Sequence, residues 1–143
     1  YIQKVIDACK SMAMSKTGAL IVFAKTYEEQ VFNNNGEVID ARISKRLLEA
    51  IFAKTSPIHD GAVVISEGLI RVASCILPLT ENSEIPAQLG LRHRAAVGIT
   101  EQSDAIAIIV SEETGFISYA SRGKVRTNIS LQELDRLLNK DVA

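Results

Sequence analysis

The chain has 143 residues, of which 47% are apolar and 23% charged, and its formal net charge is −1. These values are typical of one globular domain that buries its own core. The near-neutral charge excludes a general basic surface for nucleic acid, so any phosphate binding must come from local clusters. No apolar run in the sequence is long enough to cross a bilayer.

The two cysteines, Cys9 and Cys75, lie far apart and in apolar surroundings. Buried free thiols explain this pattern better than a disulfide, because nothing else in the sequence points to an oxidising compartment. The chain begins at Tyr1 and not at a methionine, so we expect a fragment of a longer protein. We expect residues 1–143 to form one domain, without an internal repeat or linker.

The first third of the chain predicts two helices and one buried strand. Residues 2–14 carry apolar side chains at helical spacing, and residues 19–23 form an apolar run typical of a central strand. Residues 33–36 have the composition of a turn. Ser44 is typical of the residue that caps a helix, here one that carries the apolar residues between 47 and 52.

Two hairpins are predicted in the remainder. The apolar runs 61–66 and 69–77 are separated by a Glu-Gly pair, which favours a hairpin. Residues 87–98 are predicted to be helical after a polar loop. The runs 105–110 and 116–120 flank an acidic, glycine-containing turn and predict the second hairpin.

The chain ends on a clear helix signal, a capping box at residues 130–133 followed by leucines on one helical face. Helices and strands interleave, with more hairpins than a doubly wound parallel sheet contains. The predicted fold is therefore a single α/β domain with a mixed, mostly antiparallel central sheet and helices on both faces.

A cationic cluster, Arg92-His93-Arg94, follows Gly90. On an extended segment the two arginines would point the same way and grip one polyphosphate; at a helix start, backbone N–H groups would add to the grip. A solvated basic patch or an intrachain salt-bridge pair is the usual explanation of an isolated pair of arginines two residues apart. Gly90, which permits close approach, and the small Ala95 that follows favour a phosphate site.

The second candidate site is His59-Asp60-Gly61-Ala62, at the mouth of a predicted buried strand. A carboxylate there can bind a divalent cation or accept a proton from a hydroxyl. The alternative is an ordinary turn, in which Asp60 bonds its own backbone and Gly61 supplies the dihedral freedom. Metal-dependent phosphohydrolases need more His and Asp ligands than this chain offers.

An acidic turn at residues 111–115 follows another buried strand, and one of its carboxylates would complete a metal site with Asp60. An exposed turn explains the same spacing. A Walker A loop, a G-x-G-x-x-G motif, a G-x-S-x-G elbow and an H-E-x-x-H motif are all absent from the sequence. The residues by themselves therefore indicate a phosphate-ligand domain, with metal-dependent transfer as one candidate activity.

Taken together, these motifs resemble a known family. The triplet at 60–62, followed about thirty residues later by that at 92–94, with 18–22 upstream and 111–115 downstream, is similar to the diadenylate cyclase domain. Within that family the chain is most similar to the membrane-anchored bacterial type. The resemblance covers nearly the whole chain, and the two triplets in this order and spacing are specific.

The resemblance implies that two ATP molecules condense to cyclic di-AMP and release two pyrophosphates, each 3′-hydroxyl attacking the α-phosphate of the other ATP. It implies Mg²⁺ or Mn²⁺ as cofactor and a homodimer with its two sites face to face. It also implies transmembrane helices ahead of this domain, a position at the cytoplasmic face of the bacterial membrane, and a regulatory membrane protein as a further partner. No nucleic acid partner is expected.

The resemblance also assigns residues. Asp60 would help to activate the 3′-hydroxyl, and the main chain near Leu77 would read the adenine edge. The implied residues are Asp60, Gly61, Ala62, Arg92, His93 and Arg94 for catalysis; Asp60, Gly61, Leu77, Gly90, Leu91, Arg92, His93, Arg94, Ser111 and Glu113 for ATP; and Asp60, His59, Glu112 and Glu113 for the metal.

The chain departs from the family pattern at two positions. Leu91 stands where relatives often carry a threonine, and Ile76 stands where they often place an aromatic side chain against adenine. Two other functions stay open: a non-catalytic module that binds ATP or cyclic di-AMP, and a metal-dependent nucleotide phosphohydrolase. A cyclase of facing protomers gains specific activity as protein concentration rises, whereas a phosphohydrolase acting within one chain does not.

Overall fold

The computed structural model describes residues 1–142, and a seven-stranded sheet forms its centre. In chain order the elements are α1 (Ile2–Ser15), β1 (Ala19–Phe23), α2 (Glu29–Asn33), β2 (Glu37–Arg42), α3 (Lys45–Phe52), β3 (Ala62–Ser66), β4 (Leu69–Cys75), α4 (Leu91–Gln102), β5 (Ile106–Val110), β6 (Ile117–Ser121), β7 (Lys124–Arg126) and α5 (Leu131–Asp141). Over these 142 residues, no helix has the length and apolar character needed to cross a membrane.

The strands follow the order β2-β4-β3-β1-β5-β6-β7. Within the described part of the chain only β1 and β3 pair in parallel, with Val22 opposite Val64. Every other neighbouring pair is antiparallel, including both predicted hairpins, β3-β4 and β5-β6. The prediction of a mixed, mostly antiparallel sheet is confirmed.

The sheet separates two apolar clusters, because successive side chains of a strand point to opposite faces. Ile21 of β1 packs in the cluster that also holds buried residues of α1, α3 and α5. Its neighbours Leu20 and Val22 pack in the other cluster, with α4 and with Phe32 of α2. Helices therefore cover both faces, as predicted, and all five residues of β1 are buried.

Three short elements escaped sequence reading: α2, β2 and β7. The strand β2 lies at the edge of the sheet, so most of its side chains stay exposed and its apolar alternation is weak. Its register against β4 also shifts between Val38 and Ala41, where Asp40 has a positive φ of 49°. A bulge of this kind interrupts the period of two on which strand prediction depends.

The helix predicted over 87–98 begins and ends later, at Leu91 and Gln102. The amide of Leu89 donates to the carbonyl of Pro86, which closes a turn before the helix, and Gly90 is extended. Both cysteines are buried free thiols, as predicted.

Hydroxyl caps begin two of the predicted helices. Ser44 Oγ accepts from the amide of Leu47 at 3.0 Å, and Ser130 Oγ accepts from the amide of Glu133 at 3.1 Å. The reciprocal half of the predicted capping box is wrong: the Glu133 carboxylate pairs with Arg126 and Arg136 instead. The Glu133 carboxylate pairs with these two guanidinium groups in preference to the backbone amide of Ser130.

The backbone of helix α4 is in direct contact with the backbone of residues 78–80, which follow β4. A Cβ at Gly98 would overlap the carbonyl oxygen of Pro78 and come within 3.1 Å of the Thr80 amide nitrogen. The Thr80 amide in turn donates to the carbonyl of Arg94 at 3.0 Å. Helix α4 and residues 78–80 are therefore fixed to each other along one side of the molecule.

We expect Gly98→Ala to lower the free energy of unfolding by about 1–3 kcal/mol, because the added methyl overpacks the contact with Pro78. The usual effect is opposite: alanine stabilises a helix interior by about 1 kcal/mol relative to glycine. Urea unfolding measures the difference. Gly90→Ala is the matched control, since its methyl meets nothing within 4 Å. A Gly98→Ala variant as stable as the parent would contradict the close packing.

Candidate functional site

A cleft of about 970 Å³ opens at the end of the sheet where β1 and β3 begin and where β4 and β5 end. It gathers residues from both sequence motifs and from the acidic turn. The predicted site residues that line it are His59, Asp60, Gly61, Leu77, Gly90, Leu91, Arg92, His93, Ser111, Glu112 and Glu113. Ala62 and Arg94 do not line it.

Asp60 precedes β3, and its side chain is 79% exposed. Its Oδ1 lies 3.3 Å from Nε2 of His59, whose Nδ1 is 2.8 Å from the carbonyl oxygen of Ser56. Because a carbonyl only accepts, Nδ1 carries the proton and donates it to Ser56. With the proton on Nδ1, Nε2 presents a lone pair beside the Asp60 carboxylate, and a cation bound between the two would contact both.

Gly61 is required by the backbone on which Asp60 stands. Its φ is +83°, and a Cβ there would come 2.8 Å from the carbonyl oxygen of Cys75. The turn interpretation therefore holds for Gly61, which also lines the cleft. Ala62 is fully buried in β3 opposite Cys75, so it packs behind the site and offers nothing to a ligand in the cleft.

The cationic triplet lies in the first turn of α4, so the extended-segment interpretation is wrong. Residues two apart on a helix point in different directions. Arg92 and His93 line the cleft, whereas Arg94 Nη2 faces the carbonyl of Pro86 at 3.5 Å. Gly90 supplies no side-chain cap, which leaves the first backbone N–H groups of α4 free for an anion.

Arg92 is a partly buried cation of the cleft, with a side chain 22% exposed. Its guanidinium crosses over Gly18, where a Cβ would lie 2.5 Å from Nη1. Nη1 is 3.6 Å from Oε1 of Glu112, while Nε is buried without a hydrogen-bond partner. A buried donor without a partner is costly, and an anionic ligand would satisfy it.

His93 is buried beside this guanidinium. Burial first and the charge of Arg92 second lower the pKa of His93 below its ordinary value. The imidazole is therefore neutral near pH 7 and can donate one hydrogen bond and accept another without adding charge. Of the two cationic residue types in the motif, only arginine contributes a permanent positive charge to the cleft.

The acidic turn is organised by Ser111. Its Oγ accepts from the amides of Glu113 and Thr114, both at 3.2 Å, and its carbonyl accepts from Gly115. The serine hydroxyl is thus engaged in the turn, and the side chains of Glu112 and Glu113 are exposed. Glu112 reaches Arg92 across the cleft, so this turn adjusts how strongly the arginine is neutralised before a ligand arrives.

Apolar side chains complete the cleft, and sequence reading missed some of them. Leu77 is nearly buried, whereas Ile76, Leu79, Leu91 and Phe116 are exposed at its rim. Leu91 and Ile76, the two departures from the family pattern, are 71% and 64% exposed. Leu77, Ile76 and Leu91 are singled out from the sequence but Leu79 and Phe116 are not, and apolar residues beside polar loops were the available signal for those two.

The donor set suits a cation that arrives with its substrate. Within residues 1–142, no group of three or more His, Cys, Asp or Glu is arranged to hold a metal ion. His59 Nε2 and Asp60 Oδ1 together offer two adjacent donors. Mg²⁺ is commonly bound by one or two carboxylates plus substrate phosphates and waters, so these residues fit a divalent ion carried by phosphates.

Comparison with known proteins gives consistent matches. A family model described as DAC, DisA bacterial checkpoint controller nucleotide-binding, matches residues 6–125. Cyclic di-AMP synthase CdaA of Bacillus subtilis is 38% identical over 140 residues, covering 98% of this chain and 51% of that protein. The chain therefore spans about half the length of this curated relative.

Two solved structures are also similar. A double mutant of DacA from Staphylococcus aureus superposes with a TM-score of 0.94 at 45% identity, covering 98% of this chain and 93% of that one. A hypothetical membrane spanning protein from Bacillus cereus superposes with a TM-score of 0.83 at 38% identity, covering 90% of this chain and 63% of that one. At 45% and 38% sequence identity, these structures share a family with the chain and not only a fold.

We expect Arg92→Met to raise the pKa of His93 towards its ordinary value, because the variant removes one of the two causes of its depression. An NMR titration of the imidazole protons measures the shift, and His59→Gln assigns the two histidines. Arg122→Met, at an exposed position, is the control. An unchanged His93 pKa in Arg92→Met would show that the guanidinium does not act on this imidazole.

The lowered pKa of His93 also determines how this residue affects the pH dependence of stability. The unfolded chain binds a proton at His93 more readily than the folded chain does, so this residue lowers the free energy of unfolding as pH falls through the ordinary imidazole range.

Proposed function

Because this chain belongs to the DAC family of nucleotide-binding domains, whose model matches residues 6–125, we propose that it is a diadenylate cyclase. It joins two ATP molecules into cyclic di-AMP and releases two pyrophosphates. The observation that carries the proposal is the single cleft shared by the Asp60 carboxylate and the Arg92 guanidinium at a helix start. The similar protein from Bacillus subtilis is named a cyclic di-AMP synthase.

The triphosphate binds at the start of α4. Free backbone N–H groups and the helix dipole favour an anion there, and Arg92 brings the buried donor that lacks a partner. Phosphate oxygens replace Glu112 as the partner of Arg92, since a polyphosphate carries more charge than one carboxylate. Charge that gathers on the α-phosphate during attack is then balanced by a guanidinium already in place.

The attacking 3′-hydroxyl is activated at Asp60. A hydroxyl is a weak nucleophile near neutral pH, so it needs a base or a metal to remove its proton. Asp60 is exposed at the cleft mouth, where a ribose from outside can reach its carboxylate. His59 Nε2, oriented by the Nδ1 bond to Ser56, stands beside it to share the proton or the cation.

A divalent ion, Mg²⁺ or Mn²⁺, is the proposed cofactor. His59 and Asp60 would hold it on the protein side, and Glu112 or Glu113 of the acidic turn is the further candidate ligand. Such an ion would neutralise phosphate charge and favour loss of the proton from the attacking hydroxyl. Glu112 becomes available for this role once phosphate has taken over Arg92.

The adenine lies on the apolar side of the cleft. Leu77 forms the buried floor there, with Ile76 and Leu79 beside it, and the main chain near Leu77 reads the base edge. Aliphatic packing replaces the aromatic stacking common in relatives at Ile76. Aromatic pairs contribute about 0.5–1.5 kcal/mol beyond area burial, so adenine binding is weaker by a similar amount.

Catalysis requires a second copy of the chain facing the first. Each cleft holds one ATP, whereas every bond formed joins a 3′-hydroxyl of one ATP to the α-phosphate of another. The apolar rim side chains Ile76, Leu79, Leu91 and Phe116 surround the cleft and are exposed in one chain. A facing copy covers them, which supports a homodimer that closes over two nucleotides.

The chain acts at the cytoplasmic face of the bacterial membrane as part of a longer protein. Support comes from the half-length match to its curated relative and from the similar Bacillus cereus protein, described as membrane spanning. A regulatory membrane protein is a further proposed partner on the same ground.

Product analysis tests the reaction. With ATP and Mn²⁺ or Mg²⁺, we expect cyclic di-AMP by mass spectrometry, and specific activity that rises with protein concentration because the active unit is a dimer. ADP or AMP formed at a concentration-independent rate would favour a phosphohydrolase. Tight ATP binding without turnover at any protein concentration would favour a binding module.

We expect Asp60→Asn to lower cyclic di-AMP formation by about 10²–10⁴-fold, the usual contribution of general acid–base catalysis. Its free energy of unfolding should change by less than about 0.5 kcal/mol, since the side chain is exposed. Asp104→Asn, at an exposed position outside the cleft, is the matched control for both measurements. Full activity in Asp60→Asn, or loss of its folded state, would overturn the role of Asp60.

A further inference from the structure

A buried hydroxyl lies behind the apolar wall of the cleft, away from the phosphate-binding residues. Thr80 is buried, and its Oγ1 donates to Oε2 of Glu101 at 3.0 Å while accepting from the amide of Asn82 at 3.1 Å. A hydrogen bond to a charged acceptor is stronger than one between neutral groups. Neither Thr80 nor Glu101 lines the cleft, so the pair does not touch a ligand there.

This hydroxyl ties the apolar wall to α4. The segment that carries Leu77 and Leu79 runs directly into Thr80, whose amide also donates to the carbonyl of Arg94. Gly98 packs on the carbonyl of Pro78 one residue before Leu79. Backbone contacts thus hold the segment at the middle of α4, and the Thr80 side chain adds the tie to its last turn.

The acceptor is itself held from the other side. A Cβ at Gly123, in the turn between β6 and β7, would lie 2.8 Å from Cγ of Glu101. The amide of Gly123 donates to Oγ1 of Thr100 at 3.1 Å. The turn therefore seats the last turn of α4 and limits where the Glu101 carboxylate can go, although Glu101 is exposed.

We propose that Thr80 and Glu101 are positioning residues that hold the base-side wall of the cleft at a set distance from the phosphate-side residues. Helix α4 carries Arg92 and His93 in its first turn and Glu101 in its last. The same helix therefore positions the phosphate-side residues and, through Glu101 and Thr80, the apolar wall. The proposal rests on the proposed function for its ligand, ATP. It assigns the pair to recognition of the nucleoside part and not of the phosphates.

Calorimetric binding of two ligands tests this assignment. We expect Thr80→Val, which keeps the shape and removes the hydroxyl, to weaken ATP binding about tenfold, the worth of one hydrogen bond to a charged group. Binding of inorganic tripolyphosphate should not change, because the phosphate side is untouched. Arg92→Ala should weaken both ligands. Thr80→Ser, which restores the donor, should bring ATP affinity back to that of the parent.

A second pair of variants guards against a folding effect. Glu101 is exposed, so Glu101→Ala is expected to fold, as urea unfolding checks, and to reproduce the selective loss of ATP affinity. Glu101→Gln keeps an acceptor oxygen but loses its charge, so its ATP affinity should lie between that of the parent and that of Glu101→Ala. In turnover, both Thr80→Val and Glu101→Ala should raise KM for ATP with little change in kcat, since the reacting groups stay in place.

Three results would overturn the proposal: unchanged ATP affinity in Thr80→Val and Glu101→Ala, an equal loss for ATP and tripolyphosphate, or no recovery in Thr80→Ser. Failure of the proposed function would be distinguishable from failure of this proposal. If the parent chain binds ATP without forming cyclic di-AMP, the ATP affinities of the parent and the variants can still be compared. Selective loss in the variants would then support the positioning role in a binding module.

Discussion

At Gly98 the backbone of α4 lies against the Pro78 carbonyl with no space for a methyl group, and this contact fixes α4 next to the segment that forms the apolar wall of the cleft. The helix brings Arg92 to one wall, and the segment it grips carries Leu77 on the other. Close-packed protein interiors have low compressibility and transmit strain. A shift of α4 would therefore move the cationic residues and the apolar wall relative to each other.

The sheet topology explains why distant motifs meet. The β3-β4 hairpin returns the chain, so Asp60 before β3 and Leu77 after β4 lie at the same end of the sheet. Strand β5 runs antiparallel to β1, which puts the turn after Val110 beside the point where Gly18 leads into β1. Arg92 then crosses Gly18 to reach Glu112, and the three segments share one cavity.

The elements with strong local sequence signals were predicted correctly, whereas those that depend on long-range contacts were not. Ser44 and Ser130 cap the helices they were predicted to cap, because an N-cap depends on residues three apart. Strand β2 was invisible because the edge position and the bulge at Asp40 removed its alternation.

The candidate site divides in the same way. Asp60 and Arg92 stand out as residue types in short motifs, and the structure brings them to one cleft. The pairing of Thr80 with Glu101 spans 21 residues and shows no local pattern. The separation of Arg94 from Arg92 followed only once α4 was known to be a helix, since an extended segment would have aligned them.

The symmetry of the proposed product is consistent with a cleft that has one carboxylate at its mouth and one guanidinium inside. Cyclic di-AMP contains two equivalent linkages, each made from one 3′-hydroxyl and one α-phosphate. A two-fold interface repeats every contact in both directions, so one Asp60 and one Arg92 per chain suffice for both linkages. The exposed carboxylate at the mouth and the partly buried guanidinium within fit this division: in the proposed mechanism the first would serve a ribose arriving from outside, and the second would hold the phosphates of the chain's own nucleotide.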